Sequence, residues 1–274
     1  MHIPRKRFGQ HFLVEPRVIA RIVEAVEPRP GERVVEIGPG HGALTAPLLE
    51  RAGHLTVVEI DRDLAAALRA RYPEEQLAVH CADALRFDFG ALGAGLRLVG
   101  NLPYNVSTPL LFHLERFASQ VRDMHFMLQK EVVDRMAAGA GTAHYGRLSV
   151  ALQYRFRIER LFDVAPHAFK PAPQVHSAFV RLVPHPCLPH PARSEALFRK
   201  MVTAAFSQRR KMLRNALGAF LKEADWAALG IDPRLRPEML GVDAFVAAAN
   251  FVAERWDVAG AATPSDERAG KVRR

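Results

Sequence analysis

Apolar residues in the first half of the chain recur with two alternating patterns. Val18, Ile19, Ile22, Val23 and Val26 fall three and four apart, the spacing of one helix face. Pro16 precedes them where a first helical turn tolerates a missing N–H, so the pattern predicts a helix over residues 17–26. Short apolar runs follow at residues 34–37, 55–60, 77–80 and 96–100, with helical patterns at 44–51 and 64–71 separating the first three. Near-continuous apolar runs belong to strands covered on both faces, so this alternation predicts an α/β fold with a parallel sheet and crossover helices.

The alternation continues through a helix at residues 108–117, a strand at 124–128, a helix at 131–138 and an amphipathic stretch at 147–156. Residues 177–183 alternate as a strand does, and Met124, Phe126, Met127 and Leu128 are expected in ordinary core. The run Pro184-His185-Pro186-Cys187-Leu188-Pro189-His190-Pro191 sustains neither helix nor ladder, because four prolines remove donors and fix the backbone. A domain boundary is therefore expected there, giving a first domain at residues 1–184 and a small all-α domain at 185–256. Helices are expected at 195–206, 211–220, 226–229 and 242–255, and the Gly-, Ala- and charge-rich residues 257–274 read as a disordered tail. No internal repeat is visible.

Composition narrows the partners. With 274 residues and 49% hydrophobic content the chain can bury a large core, and a net charge of +9 biases it toward polyanionic partners. Its two cysteines, Cys81 and Cys187, lie far apart without metal-ligand spacing, and the twelve histidines show none either, so neither a disulfide framework nor a metal site is expected. No segment approaches the length of a membrane span, and the N-terminus lacks a signal-like apolar stretch. The chain reads as cytoplasmic.

Two segments carry chemistry. Gly38, Gly40 and Ala43 form a G-x-G-x-x-A loop between a predicted strand and a predicted helix, where backbone approaches a nucleotide closely. That spacing suits a nicotinamide as well as S-adenosylmethionine; Glu36 before the glycines and Gly42 after them tilt it toward the latter. Glu59 and Asp83 stand at the ends of the next two runs, positioned to accept from ribose hydroxyls and from an adenine amine. Asn101-Leu102-Pro103-Tyr104 ends the fourth run at the same expected sheet edge. An aromatic exocyclic amine is a poor nucleophile, but hydrogen bonds to the Asn101 oxygen and the Leu102 carbonyl allow it to pyramidalise toward a methyl donor. Tyr104 then offers a stacking face, with Pro103 fixing the carbonyl's direction. Phe169, in a proline-stiffened loop, either covers the other face of an extruded base or plugs the core.

Basic clusters at Arg5, Lys6, Arg7, Arg17 and Arg21, and at Arg199, Lys200, Arg209, Arg210, Lys211 and Arg214, are expected to track phosphates rather than merely solvate a surface. Arg5, Lys6, Arg7, Arg209, Arg210 and Lys211 are the strongest RNA-binding candidates.

The segments Arg5-Lys6-Arg7-Phe8-Gly9-Gln10-His11-Phe12-Leu13, Glu36-Ile37-Gly38-Pro39-Gly40, Gly100 through Pro109, Met127-Leu128-Gln129-Lys130-Glu131 and Phe206-Ser207-Gln208-Arg209-Arg210-Lys211 together resemble the bacterial ribosomal RNA adenine dimethyltransferases of the KsgA (RsmA) type. The resemblance spans roughly residues 5–254. It implies a Rossmann-like S-adenosylmethionine-dependent methyltransferase sheet with an added antiparallel strand, followed by a small C-terminal helical domain that positions RNA. It also implies dimethylation of two adjacent adenines in the 3′-terminal hairpin loop of 16S rRNA, on an immature 30S subunit, by a monomer. Carried over position by position, it assigns His11, Leu13, Gly38, Gly40, Glu59, Asp83 and Asn101 to the cofactor. Asn101, Leu102, Pro103 and Tyr104 take the target amine, and Phe169 is the second stacking residue. His11 departs from the Asn of many relatives. Two other readings stay open: a 23S rRNA adenine methyltransferase of the antibiotic-resistance type, and a non-catalytic ribosome-assembly factor.

Overall fold

The computed structural model describes residues 10–208 and 211–261. In chain order, β1 (Phe12–Leu13) leads into α1 (Pro16–Val26), after which strands and helices alternate: β2 (Arg33–Ile37), α2 (Thr45–Ala52), β3 (Leu55–Glu59), α3 (Arg62–Arg71), β4 (Leu77–Cys81), β5 (Leu96–Asn101), α4 (Ser107–Leu114) and β6 (Val121–Gln129). Then come α5 (Lys130–Ala137), α6 (Arg147–Arg155), β7 (Phe156–Val164), β8 (Phe169–Lys170) and β9 (Ser177–Pro184). The helices α7 (Glu195–Ser207), α8 (Leu213–Ala216), α9 (Glu223–Leu229) and α10 (Val242–Ala261) complete the described chain.

The seven-stranded sheet has the order β4-β3-β2-β5-β6-β9-β7. The first five strands in that order are parallel, whereas β9 runs antiparallel to both β6 and β7. The order doubles back at β2, because the chain fills β2, β3 and β4 outward and then crosses to β5 on the other side of β2. In open sheets of this kind the crevice at the strands' carboxyl ends binds ligands at that reversal. A two-stranded antiparallel sheet pairs Phe12 with Lys170 and Leu13 with Phe169, tethering the N-terminal segment to the turn before β9.

Local chemistry explains the first helix. Pro16 opens α1, the Glu15 side chain accepts from Arg17 N–H at 3.3 Å, and Glu27 ends it in the left-handed region with its N–H on Val23 O at 2.9 Å. Its Ile22, Val23 and Val26 are buried among Leu44, Leu48, Leu55 and Val57, each contributing roughly 1.5–3 kcal/mol. At the amino ends of the central strands, the buried Arg97 donates twice to Asp123 at 3.0 Å, to Glu32 at 2.6 Å and to the carbonyls of Val26 and Glu27. Burial alone pushes the Arg97 guanidinium toward neutrality, but the bonds to Asp123 and Glu32 hold it above its ordinary value.

Several expectations need correction. Strand β7 lay inside a stretch that reads as polar, because this edge strand carries Arg157, Glu159, Arg160 and Asp163 on a largely solvated surface. The helix expected at 211–220 shrinks to α8, whose first N–H groups are taken by Leu235 O (from Leu213, 2.8 Å) and Pro233 O (from Arg214, 3.0 Å). Helix α10 continues through Ala261, so residues 257–261 of the expected tail are helical, and residues 262–274 lie outside the described residues.

Compactness divides the chain into one unit of Met1–Ala138 with Leu152–Cys187 and another of Gly139–Ala151 with Leu188–Arg274. The single cut expected after residue 184 misses this exchange. Within the second unit Gly141 N–H donates to Glu238 O at 2.7 Å, and the Tyr145 ring meets Phe206 edge-on at 6.3 Å between centroids.

Candidate active site

The carboxyl ends of β2, β3, β4 and β5, with the segment around β1, enclose a cleft of about 1210 Å³ of empty space, its solvent-open mouth included. It is lined by His11, Leu13, Glu36, Gly38, Gly40, Glu59, Asp83, Asn101, Leu102, Pro103 and Tyr104 among others. Every residue the sequence assigned to the cofactor or to the amine grip, Phe169 excepted, therefore meets in one place.

The glycine loop is held against β3. Gly38 N–H donates to Val58 O at 2.9 Å, and Gly40 N–H donates to the Glu59 carboxylate at 3.1 Å. At Gly40 φ is +56°, and an added Cβ would lie 2.9 Å from the Phe12 ring, so both conformation and space demand glycine. Phe12 also packs on His41 with centroids 4.3 Å apart, which covers the loop from the N-terminal side.

Glu59 is 4% exposed and accepts from Asp61 N–H at 2.9 Å on its other oxygen. Burial pushes its pKa up, and the backbone bonds from Asp61 and Gly40 only partly offset this. A carboxylate offers about four acceptor positions, and the backbone N–H groups of Asp61, Gly40 and Ile60 use three of them. Glu36 is more deeply enclosed: burial raises it to about 8, against the opposing Thr45 hydroxyl, which donates to it at 2.6 Å. Asp83 anchors the turn after β4 by accepting from Leu85 N–H at 2.9 Å with one oxygen, leaving the second available.

Asn101 closes the site from β5. Its amide nitrogen donates to the His11 carbonyl at 2.8 Å, and since a carbonyl only accepts, the amide must be turned with nitrogen toward His11. Oδ1 is thereby left as the acceptor. Leu102 N–H donates to Met127 O at 3.1 Å, fixing the turn to β6. The His11 ring sits 5.4 Å from Tyr104, inclined by 29°, and its Nδ1 is 2.7 Å from Pro171 O. The Tyr104 hydroxyl lies 2.6 Å from Ser177 Oγ, and burial raises the phenol's pKa despite that bond.

Phe169 does not join them. It is 2% exposed and packs with Leu13, Val164, Ala168 and Phe179, so its ring is a core plug rather than a cover for an extruded base. Pairing with Leu13 in the two-stranded sheet turns it inward. Lys211 is exposed in the second unit, while Arg5, Lys6, Arg7, Arg209 and Arg210 lie outside the described residues. Sequence reading missed Ser177, Thr45 and Phe12; only the alternation that makes Ser177 an inward strand position hinted at any of them. Among the described residues no group of metal-ligating side chains occurs, and no helix is long and apolar enough to cross a membrane.

Comparison with known proteins shows the family. The family model described as ribosomal RNA adenine dimethylase matches residues 1–254. The chain is 63% identical over 254 residues to ribosomal RNA small subunit methyltransferase A of Aromatoleum aromaticum, covering 93% of this chain and 96% of that protein. It is 59% identical over 255 residues to the protein of the same name from Thiobacillus denitrificans, covering 93% and 100%. Among solved structures, the 23S rRNA methyltransferase ErmE superposes with a TM-score of 0.70 at 25% identity, over 88% of this chain and 99% of that one. A dimethyladenosine transferase from Plasmodium falciparum gives 0.74 at 23% identity, over 91% and 98%. The chain thus belongs to the ribosomal RNA adenine dimethylase family.

Proposed function

We propose that this protein transfers methyl groups from S-adenosylmethionine to N6 of two adjacent adenines in the 3′-terminal hairpin loop of 16S rRNA, acting as a cytoplasmic monomer on an immature 30S subunit. The relatives at 63% and 59% identity are named small-subunit methyltransferases, whereas the 23S enzyme stands at 25%, which favours the 16S reading over the 23S one. The observation that carries the chemistry is the Asn101 amide tied to His11 O at 2.8 Å in the cleft that also holds the glycine loop.

The residues fit the cofactor: Glu59 keeps an acceptor position beside its three backbone bonds for a ribose hydroxyl, and Asp83 has a free oxygen for the adenine amine. His11, Leu13, Gly38 and Gly40 line the same space. S-adenosylmethionine supplies a methyl group on a sulfonium, an electrophile that needs no activation by the protein. Asn101 Oδ1 and the Leu102 carbonyl accept the two amine hydrogens, so the nitrogen pyramidalises and aims its lone pair. Pro103 directs that carbonyl, and Tyr104 stacks on the base. The methylated ammonium is acidic enough to lose its proton without a strong base. Arg5, Lys6, Arg7, Arg209, Arg210 and Lys211 supply the phosphate contacts a net charge of +9 suggests.

The test is incubation with labelled S-adenosylmethionine and under-methylated 30S particles, with the labelled nucleotides mapped. Label at two adjacent adenines near the 16S 3′ end is expected, and label confined to 23S rRNA would refute the assignment. Asn101→Ala, assayed at saturating cofactor, should lose most transfer, because the amine is then neither oriented nor polarised. Near-parent turnover would mean another group holds the amine.

A further inference from the structure

Ser177 is fully buried at the start of β9, opposite Gln129 of β6 on one side and Val164 of β7 on the other. Two ladders therefore fix its backbone. Its hydroxyl lies 2.6 Å from that of Tyr104, across 73 residues of sequence. At the other end of the same tyrosine, Ser107 Oγ donates to Tyr104 O at 3.1 Å.

A tyrosine hydroxyl lies on the axis about which the ring spins. Holding it leaves that spin free but forbids rotation about the Cα–Cβ bond, which would sweep the hydroxyl through several ångströms. The spin is restrained separately by the His11 ring, 5.4 Å away and inclined by 29°. Backbone, hydroxyl and ring plane of Tyr104 are thus each held by a different group.

We infer that Ser177 is a positioning residue for methyl transfer, acting through its hydroxyl bond to Tyr104, and this rests on Tyr104 being the platform for the target base. A base stacked on a ring free to swing presents its amine to Asn101 only part of the time. The consequence falls on the transfer step, not on cofactor binding.

The experiment is a double-mutant cycle of Ser177→Ala and Tyr104→Phe, read as single-turnover transfer to under-methylated 30S particles at saturating S-adenosylmethionine. Each single change removes one neutral hydrogen bond and should slow transfer roughly two- to tenfold, with cofactor affinity unchanged. The double variant should be no slower than either single one, because both break the same bond. Ser177→Cys keeps the volume but weakens the bond, and should follow Ser177→Ala. If Ser177→Ala does not fold, Tyr104→Phe and Ser177→Cys still decide the matter. Additive losses in the cycle, or a parent-like rate in Tyr104→Phe, would overturn the inference. Tyr104→Ala separates the two levels: a parent-like rate there removes the base platform itself, whereas a large loss there with parent-like Tyr104→Phe removes only the role of Ser177.

Discussion

Gly100→Ala should damage catalysis from inside the sheet without touching a ligand. Gly100 sits in β5 between β2 and β6, paired with Phe126 and one residue before Asn101. A Cβ built there would lie 2.4 Å from Ile37 O and 3.1 Å from a Leu102 methyl, whereas ordinary contact begins at 3.4 Å. The nearer atom is backbone in the neighbouring central strand, so no rotamer change relieves it, and β2 and β5 must separate locally by about 1 Å. Overpacking of this kind costs roughly 1–3 kcal/mol, and the upper end applies where the obstacle is backbone. The same displacement moves Asn101 relative to the glycine loop that follows Ile37, and a misplacement of about 1 Å costs on the order of 10²-fold in rate. Urea denaturation should show the stability loss, and single-turnover transfer at saturating S-adenosylmethionine the rate loss. A variant with the parent's midpoint and rate would refute the steric argument. One that is destabilised but transfers at the parent's rate would refute the coupling of this strand contact to Asn101.

Two further outcomes follow from buried charge. Arg97→Ala leaves Asp123, only 2% exposed, without its bidentate partner, so denaturation should show a loss of about 3–5 kcal/mol; a loss below 1 kcal/mol would mean Arg181, 3.8 Å away, suffices. Glu36, raised by burial to about 8, is neutral in the folded protein well above the pH at which it ionises when unfolded. Its contribution to stability is present below the unfolded value of 4.5 and is lost as pH rises toward and through 8, by up to roughly 5 kcal/mol. Glu36→Gln should therefore decline less than the parent between pH 5 and 8, and parallel curves in denaturation would contradict this.

The parallel strands were legible because they are written as nearly unbroken apolar runs, the central ones being buried on both faces. The edge that lines the cleft was legible for a related reason: Glu36, Glu59, Asp83 and Asn101 are polar residues that interrupt or end such runs, and loops at strand ends are where ligands sit. Strands β7, β1 and β8 were not. Arg157, Glu159 and Arg160 mask β7, and β1 and β8 are two residues each, too short to show a period. Phe169 was ambiguous because an aromatic beside prolines carries no sign of which way it turns; only its pairing with Leu13 decides that. Ser177 was legible as a strand position but not as a site residue, because its partner Tyr104 is 73 residues away.

The site depends on segments that no local pattern connects. Asn101 is directed by His11 O, His11 is held by Pro171 O and by Tyr104, and Tyr104 is held by Ser177. The N-terminal strand, the end of β5 and the loop before β9 are joined by these contacts, and the bond to His11 O leaves the Asn101 oxygen free to accept. The glycine loop needs none of them except Phe12, since Gly38 and Gly40 are anchored to β3 alone. On the proposed reading, a lesion in the Tyr104–Ser177 contact reaches the transfer step through the base platform, one in the Asn101–His11 contact reaches it through the amine grip, and one at Glu59 reaches the cofactor first.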